Sequence, residues 1–476
     1  MEDILKEAPF TRLVRSKIFV IPVILSVATS IFPIQFATAA SVSAQTQVVQ
    51  SSPYQQILDD VVTKGSPGAM MLVQKHGEKP VVTVSGLADT SSNDSMDAMM
   101  QFRVGSVTKT FVATTVLQLE QEGKLNIEDS VEKYLPGLIP DGQNVTLHQL
   151  LNHTSGLNDY ATDPQFLGML ALDMKRDWKP QELVAFATQK TSLPKGQFYY
   201  SNTNYIILGL IVEKVDGMPL DTSIKNRIIK PLKLKKTYLA TEENLEGTYA
   251  HGYMDINMDG QVEDITSISP SSAWAAGALV SNMGDLATWA KALGTGKLLN
   301  DIERKKMMTY VDASSILGTG VQYGLGIGCY KSTPIGKLLG HSGNVPGYLT
   351  EIAYSPDKDL SIVLMINTNR NDLIKEAEGK LLAQLAIPTV EELKAKPTSI
   401  SLSAGATKKL KVTAKLSNHS SSDVTSTSTY VSSDPEVVTV DQNGLITVSS
   451  DAKRGKTAKI TITYGGRTCK IGVRVK

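Results

Sequence analysis

Cysteine is scarce in this chain. Cys329 and Cys469 are the only two among 476 residues. Two thiols cannot build a disulfide framework, and these two fall in segments read below as different domains, so each is read as a structural thiol. No Cys/His spacing suited to zinc is present, nor a glycine loop suited to phosphate. No metal and no cofactor is therefore expected. Excess charge is lacking as well: a formal net charge of +1 argues against a general nucleic-acid binder. Beyond residue 36 no stretch is long and apolar enough to cross a bilayer.

What is present is the composition of a globular protein, 41% hydrophobic and 20% charged, in a chain too long for one ordinary domain. The small net charge hides an imbalance. Residues 397–476 hold twelve Lys/Arg against five Asp/Glu, a net of +7, which leaves the rest at −6. At the N-terminus Arg12, Arg15 and Lys17 precede an apolar run, Ile18 to Phe36, interrupted by Pro22 and Pro33. Small-residue cleavage patterns follow at Ala37-Thr38-Ala39 and Val42-Ser43-Ala44. Residues 1–44 are read as an export signal, with an uncleaved anchor as the alternative; either places the bulk of the chain outside the cytoplasm.

Along the chain, Tyr54 to Thr63 reads as a short amphipathic helix. Ala69 to Gln74 and Val81 to Ser85 read as a hairpin around His76-Gly77-Glu78-Lys79-Pro80. Thr146 caps a helix over Leu147 to Leu151. Lys179 to Gln189, Asn204 to Val215 and Asp285 to Leu293 are further helices, the last ended by Gly294. Strands return at Tyr323 to Gly328, Lys337 to Gly340, Tyr348 to Tyr354 and Leu360 to Asn367, and a helix over Asp372 to Ala386 closes the segment. Strands at both ends with helices between imply an α+β fold: one antiparallel sheet from the two ends, with a helical lobe inserted. Residues 388–396, charged and opened by Pro388, read as a linker. Beyond them short β runs separated by Asp441-Gln442-Asn443-Gly444 and Gly465-Gly466 read as a small all-β sandwich.

Three short patterns carry chemistry. In Gly105-Ser106-Val107-Thr108-Lys109 a helix follows, with Val112, Val116 and Leu119 at helical spacing. Ser106 is then a nucleophile at a helix start, and Lys109 lies one turn in on the same face, where it can take the serine proton if its ammonium is desolvated. In Tyr200-Ser201-Asn202 the tyrosine can shuttle a proton and the asparagine, two residues on, can bind a substrate amide. In His341-Ser342-Gly343-Asn344, between strands, a small residue lets a substrate backbone approach a strand edge. Asp255-x-Asn257-x-Asp259-Gly260 looks like the start of a calcium loop, but Thr266 stands where a bidentate glutamate is needed, so it reads as a turn.

In their order and spacing these patterns resemble the penicillin-recognising serine hydrolases, in the branch of secreted D-alanyl-D-alanine carboxypeptidases that shares its fold with class C β-lactamases. Phe102 to Lys109, Tyr134-Leu135-Pro136-Gly137-Leu138, His153-Thr154-Ser155-Gly156-Leu157, Tyr200 to Asn204 and Gly340 to Gly343 carry the likeness, over roughly Pro53 to Ala386. It implies a hydrolase domain over 45–387. Ser106 would form an acyl-enzyme, Lys109 and Tyr200 would handle the proton, and Asn202 would bind the substrate amide. The N–H groups of Ser106 and Asn344 would form an oxyanion hole, His341 would lend polar stabilisation, and Trp274 would line the cleft. The implied partners are D-amino-acid peptides or peptidoglycan stem peptides, with β-lactams as inhibitors or substrates; β-lactam, ester or D-peptide hydrolysis and an inactive surface binder are the alternatives. Residues 397–476 resemble the bacterial Ig-like modules (group 2) of surface proteins, on Ser432 to Val440 and Asn443 to Thr447. Their charge suits an anionic cell wall. One departure stands out. The resembling carboxypeptidases place, after Tyr-Gly-Leu-Gly, an arginine that helps hold the substrate's terminal carboxylate; here Tyr323-Gly324-Leu325-Gly326-Ile327 leads to Gly328. Asn344 also replaces a threonine.

Overall fold

The computed structural model describes residues 52–476 apart from 241–244, 246, 418 and 419. The segment read as an export signal lies outside the described residues. The chain divides between Leu382 and Ala383 into two units, each described by itself.

In the first unit, strands from the two ends of the segment meet side by side. Helix α1 (Gln55–Thr63) leads into β1 (Gly68–Lys75) and β2 (Val81–Asp89). The insertion that follows is mainly helical and holds α2 (Thr108–Gln121), α3 (Asn202–Asp216) and α4 (Met283–Thr295). The chain returns through β3 (Val321–Tyr323), β4 (Gly328–Thr333), β5 (Gly336–Val345), β6 (Tyr348–Ser355) and β7 (Leu360–Ile366) to the closing helix α5 (Asn371–Ala386). Among the described residues one antiparallel sheet runs Asp94–Ser95, β2, β1, β7, β6, β5, β4, β3, Val311–Asp312. Its seam pairs Ala69 with Ile366 and Lys75 with Leu360. Every residue of β7 is buried. A strand covered on both faces is apolar at every position rather than alternating. Ser361 of β7 donates to Ala287 O of α4, while Glu351 of β6, on the other face by register, meets Lys375 of α5 at 2.9 Å.

Helix α2 is buried on every side: eleven of its fourteen residues are inaccessible. That is the pattern of a central helix, not a surface one. Its Phe111 stacks on Trp289 of α4 at 4.1 Å, and the Trp289 indole donates to Thr110 Oγ1. The cap on Leu147–Leu151 is a full capping box between Thr146 and Gln149.

Four expectations are corrected. Gly294 lies inside α4, pressed against the Tyr354 ring, and Gly296 in the left-handed region ends the helix. Tyr323 to Gly328 is not one strand. Residues 324–327 form a tight turn joining β3 to β4, and Leu325 and Ile327 are apolar because the turn inserts into the core. His341 to Asn344 lies within β5, and the turn comes later at Pro346-Gly347. Residues 388–396 are not a linker: Val390–Lys396 is a strand, β8, of the second unit. Asp255 does make a turn, accepting from the N–H groups of Asp259 and Gly260.

Beyond the end of α5 the second unit is built on β-strands. β8 pairs with β10 (Lys411–Leu416), with β9 (Ser399–Leu402) between them in sequence. β9 runs parallel beside β13 (Arg467–Val475), which pairs with β12 (Thr457–Tyr464), and that with β11 (Thr429–Ser432). Val412, Ala414, Ile446, Ile460, Ile462 and Val473 fill its core. Among the described residues no helix is long and apolar enough to cross a membrane.

Candidate active site

The site begins with two backbones in contact. Gly105 has φ +54°, and a Cβ on it would stand 2.7 Å from Asn344 N. A Cβ on Gly343 would stand 2.0 Å from Val104 O. Only glycine fits at either place. So β5 lies against the 3₁₀ turn Gly105–Val107 that carries Ser106, two residues before α2. The absent side chain at Gly343 is required by the chain's own packing, where the sequence had suggested room for substrate. Pairing of β5 with β4 stops at Gly340, whereas pairing with β6 continues to Val345. Beyond Gly340, β5 therefore has no strand partner on its β4 side among the described residues.

Lys109 is buried completely, and its Nζ has three partners: Ser106 Oγ at 2.9 Å, Asn202 Oδ1 at 2.7 Å and Ala276 O at 2.8 Å. Burial disfavours the ammonium and pulls its pKa down to about 7, against the nearby Asp159 carboxylate, which raises it. All three partners are oxygens, and Nζ donates to each of them. Once deprotonated, the amine has two N–H bonds and one lone pair; the two carbonyl oxygens can only accept, so they take both N–H bonds and the lone pair then faces Ser106.

Tyr200 is a second ionisable side chain beside Ser106. Burial holds its phenol well above the ordinary tyrosine value, so it stays protonated. Its ring lies 4.3 Å from that of His153 and 5.0 Å from Lys109 Nζ. His153 is a buried support: its Nδ1 accepts from Ser201 N and lies 3.3 Å from Asn204 Nδ2.

His341 is also buried. Its Nδ1 donates to Ser342 O at 2.6 Å, so Nε2 is the acceptor for the Tyr323 hydroxyl at 2.8 Å. Burial first, and the Lys109 charge second, push it down to about 3. His341 is a neutral imidazole with both nitrogens engaged by the chain itself. The exposed Asn344 side chain accepts from Asn369 Nδ2 at 2.8 Å. The half-buried Trp274 rests its ring on Gly209 of α3, and two residues later Ala276 supplies the carbonyl for Lys109.

The family profile described as Beta-lactamase matches residues 54–386, and that of the Bacterial Ig-like domain (group 2) matches 389–467. The chain belongs to the beta-lactamase family. PbpX of Bacillus subtilis (strain 168), named as a penicillin-binding protein, is 29% identical over 320 residues, covering 67% of this chain and 74% of that one. The fold superposes on the D-stereospecific amidohydrolase from Streptomyces sp. with a TM-score of 0.63 and 34% identity, over 68% of this chain and 97% of that one. It superposes equally, at 0.63 and 27% identity, on the D-amino acid amidase from Ochrobactrum anthropi SV3 complexed with D-phenylalanine, over 70% and 97%.

Within this beta-lactamase-family domain two contributors escaped the sequence reading. Ala276 acts through a backbone carbonyl, which side-chain patterns cannot reveal. Asp159 is buried, and its Oδ1 accepts from Asn202 N and Ala161 N, each at 3.1 Å, while Oδ2 accepts from Asn202 Nδ2 at 3.0 Å. This fixes the Asn202 amide so that its oxygen, not its nitrogen, faces Lys109. Burial pushes the Asp159 carboxyl up, against these donors and Lys109. Its signal was its place two residues after the His153 to Leu157 stretch. Asp159→Asn is expected to lower kcat about a hundredfold through a misplaced Asn202. Losing the negative charge should also lower the Lys109 pKa, moving the acid limb of the kcat/KM profile to lower pH. An unmoved limb would remove the electrostatic half of this role.

Proposed function

We propose that this beta-lactamase-family domain hydrolyses D-amino-acid peptides and amides through an acyl-serine on Ser106, in the manner of a D-alanyl-D-alanine carboxypeptidase, with penicillin acylating the same serine. The observation that carries the reading is the fully buried Lys109 Nζ, held by two carbonyl oxygens and 2.9 Å from Ser106 Oγ. Ser106 Oγ attacks the carbonyl carbon and its proton passes to Lys109. Tyr200, kept protonated beside Ser106, relays a proton to the departing nitrogen. The N–H groups of Ser106 and Asn344 receive the oxyanion, a contribution worth several kcal/mol where such donors are fixed in advance, roughly 3–4 for one donor. The second hydrogen of Asn202 Nδ2 binds a substrate carbonyl. His341 holds the Tyr323 hydroxyl and the Ser342 carbonyl in place behind this edge. Trp274 offers an apolar wall. Water then cleaves the ester by the reverse proton path. Export through residues 1–44, and encounter with peptidoglycan stem peptides, belong to the same proposal.

The leaving-group end of the cleft favours blocked or extended substrates. A Cβ on Gly328 would stand 3.2 Å from both Gly340 O and Tyr330 Cε2. The ring of Tyr330 thus fills the space above Gly328. An arginine there could not be housed without moving that ring. Lys331 is exposed on the opposite strand face. The likeness to D-amino-acid amidases points the same way. The test compares kcat/KM for a D-Ala-D-Ala peptide with its C-terminal amide. Values within roughly a hundredfold of one another are expected. A preference for the free acid above that, about 2.7 kcal/mol, would show that another group clamps the carboxylate.

A further inference from the structure

The charge of the second unit is not spread evenly. On β8 and β10 three of the four cations have acids beside them: Lys394 with Glu392 at 2.8 Å, Lys411 with Asp423 and Lys415 with Glu391, each at 3.9 Å. The four-stranded sheet β9-β13-β12-β11 is different. Alternate residues along it are buried, and the rest form an exposed face. Read along the strands, that face holds Lys459, Lys470 and Arg474 and no aspartate or glutamate. The remaining positions are threonines, serines, Val431 and Gly472.

Register brings the three cations together. Gly472 of β13 lies between Lys470 and Arg474, two residues from each, and pairs with Lys459 of β12. Same-face neighbours along a strand are about 7 Å apart and neighbouring strands about 4.8 Å. The three charges therefore surround Gly472, where an added Cβ would meet nothing within 4 Å. The centre of the triangle is open to solvent. Short hydroxyls edge it: Thr461 opposite Lys470, Thr457 opposite Arg474, and Ser399 opposite Gly472 on the parallel strand. Like charges this close weaken a sheet, so a face that gathers them around a gap is suited to a polyanion.

We propose that this face docks an anionic polymer of phosphodiester-linked polyol units. Phosphate oxygens match the arginine fork of Arg474 and the point charges of Lys459 and Lys470. The serine and threonine hydroxyls suit the polyol between charges. The surface belongs to the second unit, and the proposal does not depend on how the Ser106 site reacts.

The experiment titrates the full chain with linear poly(glycerol phosphate), and in parallel with polyglutamate, across a series of salt concentrations. Three phosphate contacts give a slope of log K against log salt of about −2. Lys459→Gln, Lys470→Gln and Arg474→Gln combined should weaken binding at least tenfold at low salt and flatten that slope. Lys394→Gln, Lys411→Gln and Lys415→Gln combined remove the same charge from the other sheet and should change binding less than twofold. Lys470→Gln alone, checked by circular dichroism, should reduce the slope by about 0.7. The proposal is overturned by no binding of poly(glycerol phosphate), by equal losses in the two triple variants, by an unchanged slope in the single variant, or by equally tight polyglutamate binding.

Discussion

Replacing Ser106 by alanine leaves a folded protein that forms no acyl adduct and turns over D-amino-acid amides roughly 10⁴- to 10⁶-fold more slowly. The residue has no structural duty that would confuse the result. Neither the turn Gly105–Val107 nor α2 is capped by a side chain, so no cap is lost. The hydroxyl gives up its contacts with Lys109 Nζ and Tyr200, but Lys109 retains Asn202 Oδ1 and Ala276 O. Stability should change by no more than about 1 kcal/mol, the worth of one such hydrogen bond. Thermal unfolding and turnover on the same preparation separate the two effects. Near-normal turnover would remove Ser106 as nucleophile.

The second large effect concerns Lys109. Its amine serves only when neutral, and burial sets its pKa near 7. The sign follows directly: protonation below that value removes the lone pair, so kcat/KM should fall about tenfold per pH unit on the acid side and level off above. Lys109→Arg is the informative variant. It keeps a cation in the cavity but cannot be deprotonated in a protein. A charge-only role for Lys109 would survive the exchange. A proton-accepting role would not, and a loss of roughly 10²- to 10⁴-fold is expected, close to that of Lys109→Ala. A pH-independent rate between 5 and 8 would contradict the assignment. The groups facing this nitrogen are Asp159, Tyr200, Tyr205, His153 and His341. Burial keeps the two histidines and two tyrosines neutral across that range, which leaves Lys109 and Asp159 to shape the acid limb.

Much of this architecture was legible in the residues, for physical reasons that also explain the failures. The hairpin over β1 and β2 and the pairing of chain ends follow from apolar runs bounded by turn residues. The structure brings together Ser106, Lys109, Tyr200 and Asn202, which the sequence offered because each presents a functional side chain at a fixed spacing. β8 was missed because a bulge between Val390 and Glu392 breaks the alternation of Val390, Leu393 and Ala395. The turn at 324–327 was taken for a strand because Leu325 and Ile327 are apolar, yet their burial comes from hydrogen bonds into the core, Leu325 N to Met307 O and Gly326 N to Leu151 O. Gly343 shows the reverse error: its smallness was read as room for a ligand and is filled by Val104. Asp159 acts on Asn202 and so had no pattern of its own.

The central claim is a covalent acyl-enzyme on Ser106. It is tested most directly by the intact mass of the full chain after incubation with penicillin at pH 8, followed by peptide mapping of the adduct. The expected result is one added penicillin per chain, on the peptide containing Ser106 and absent from Ser106→Ala. An unmodified mass, or an adduct on any other residue, would contradict it.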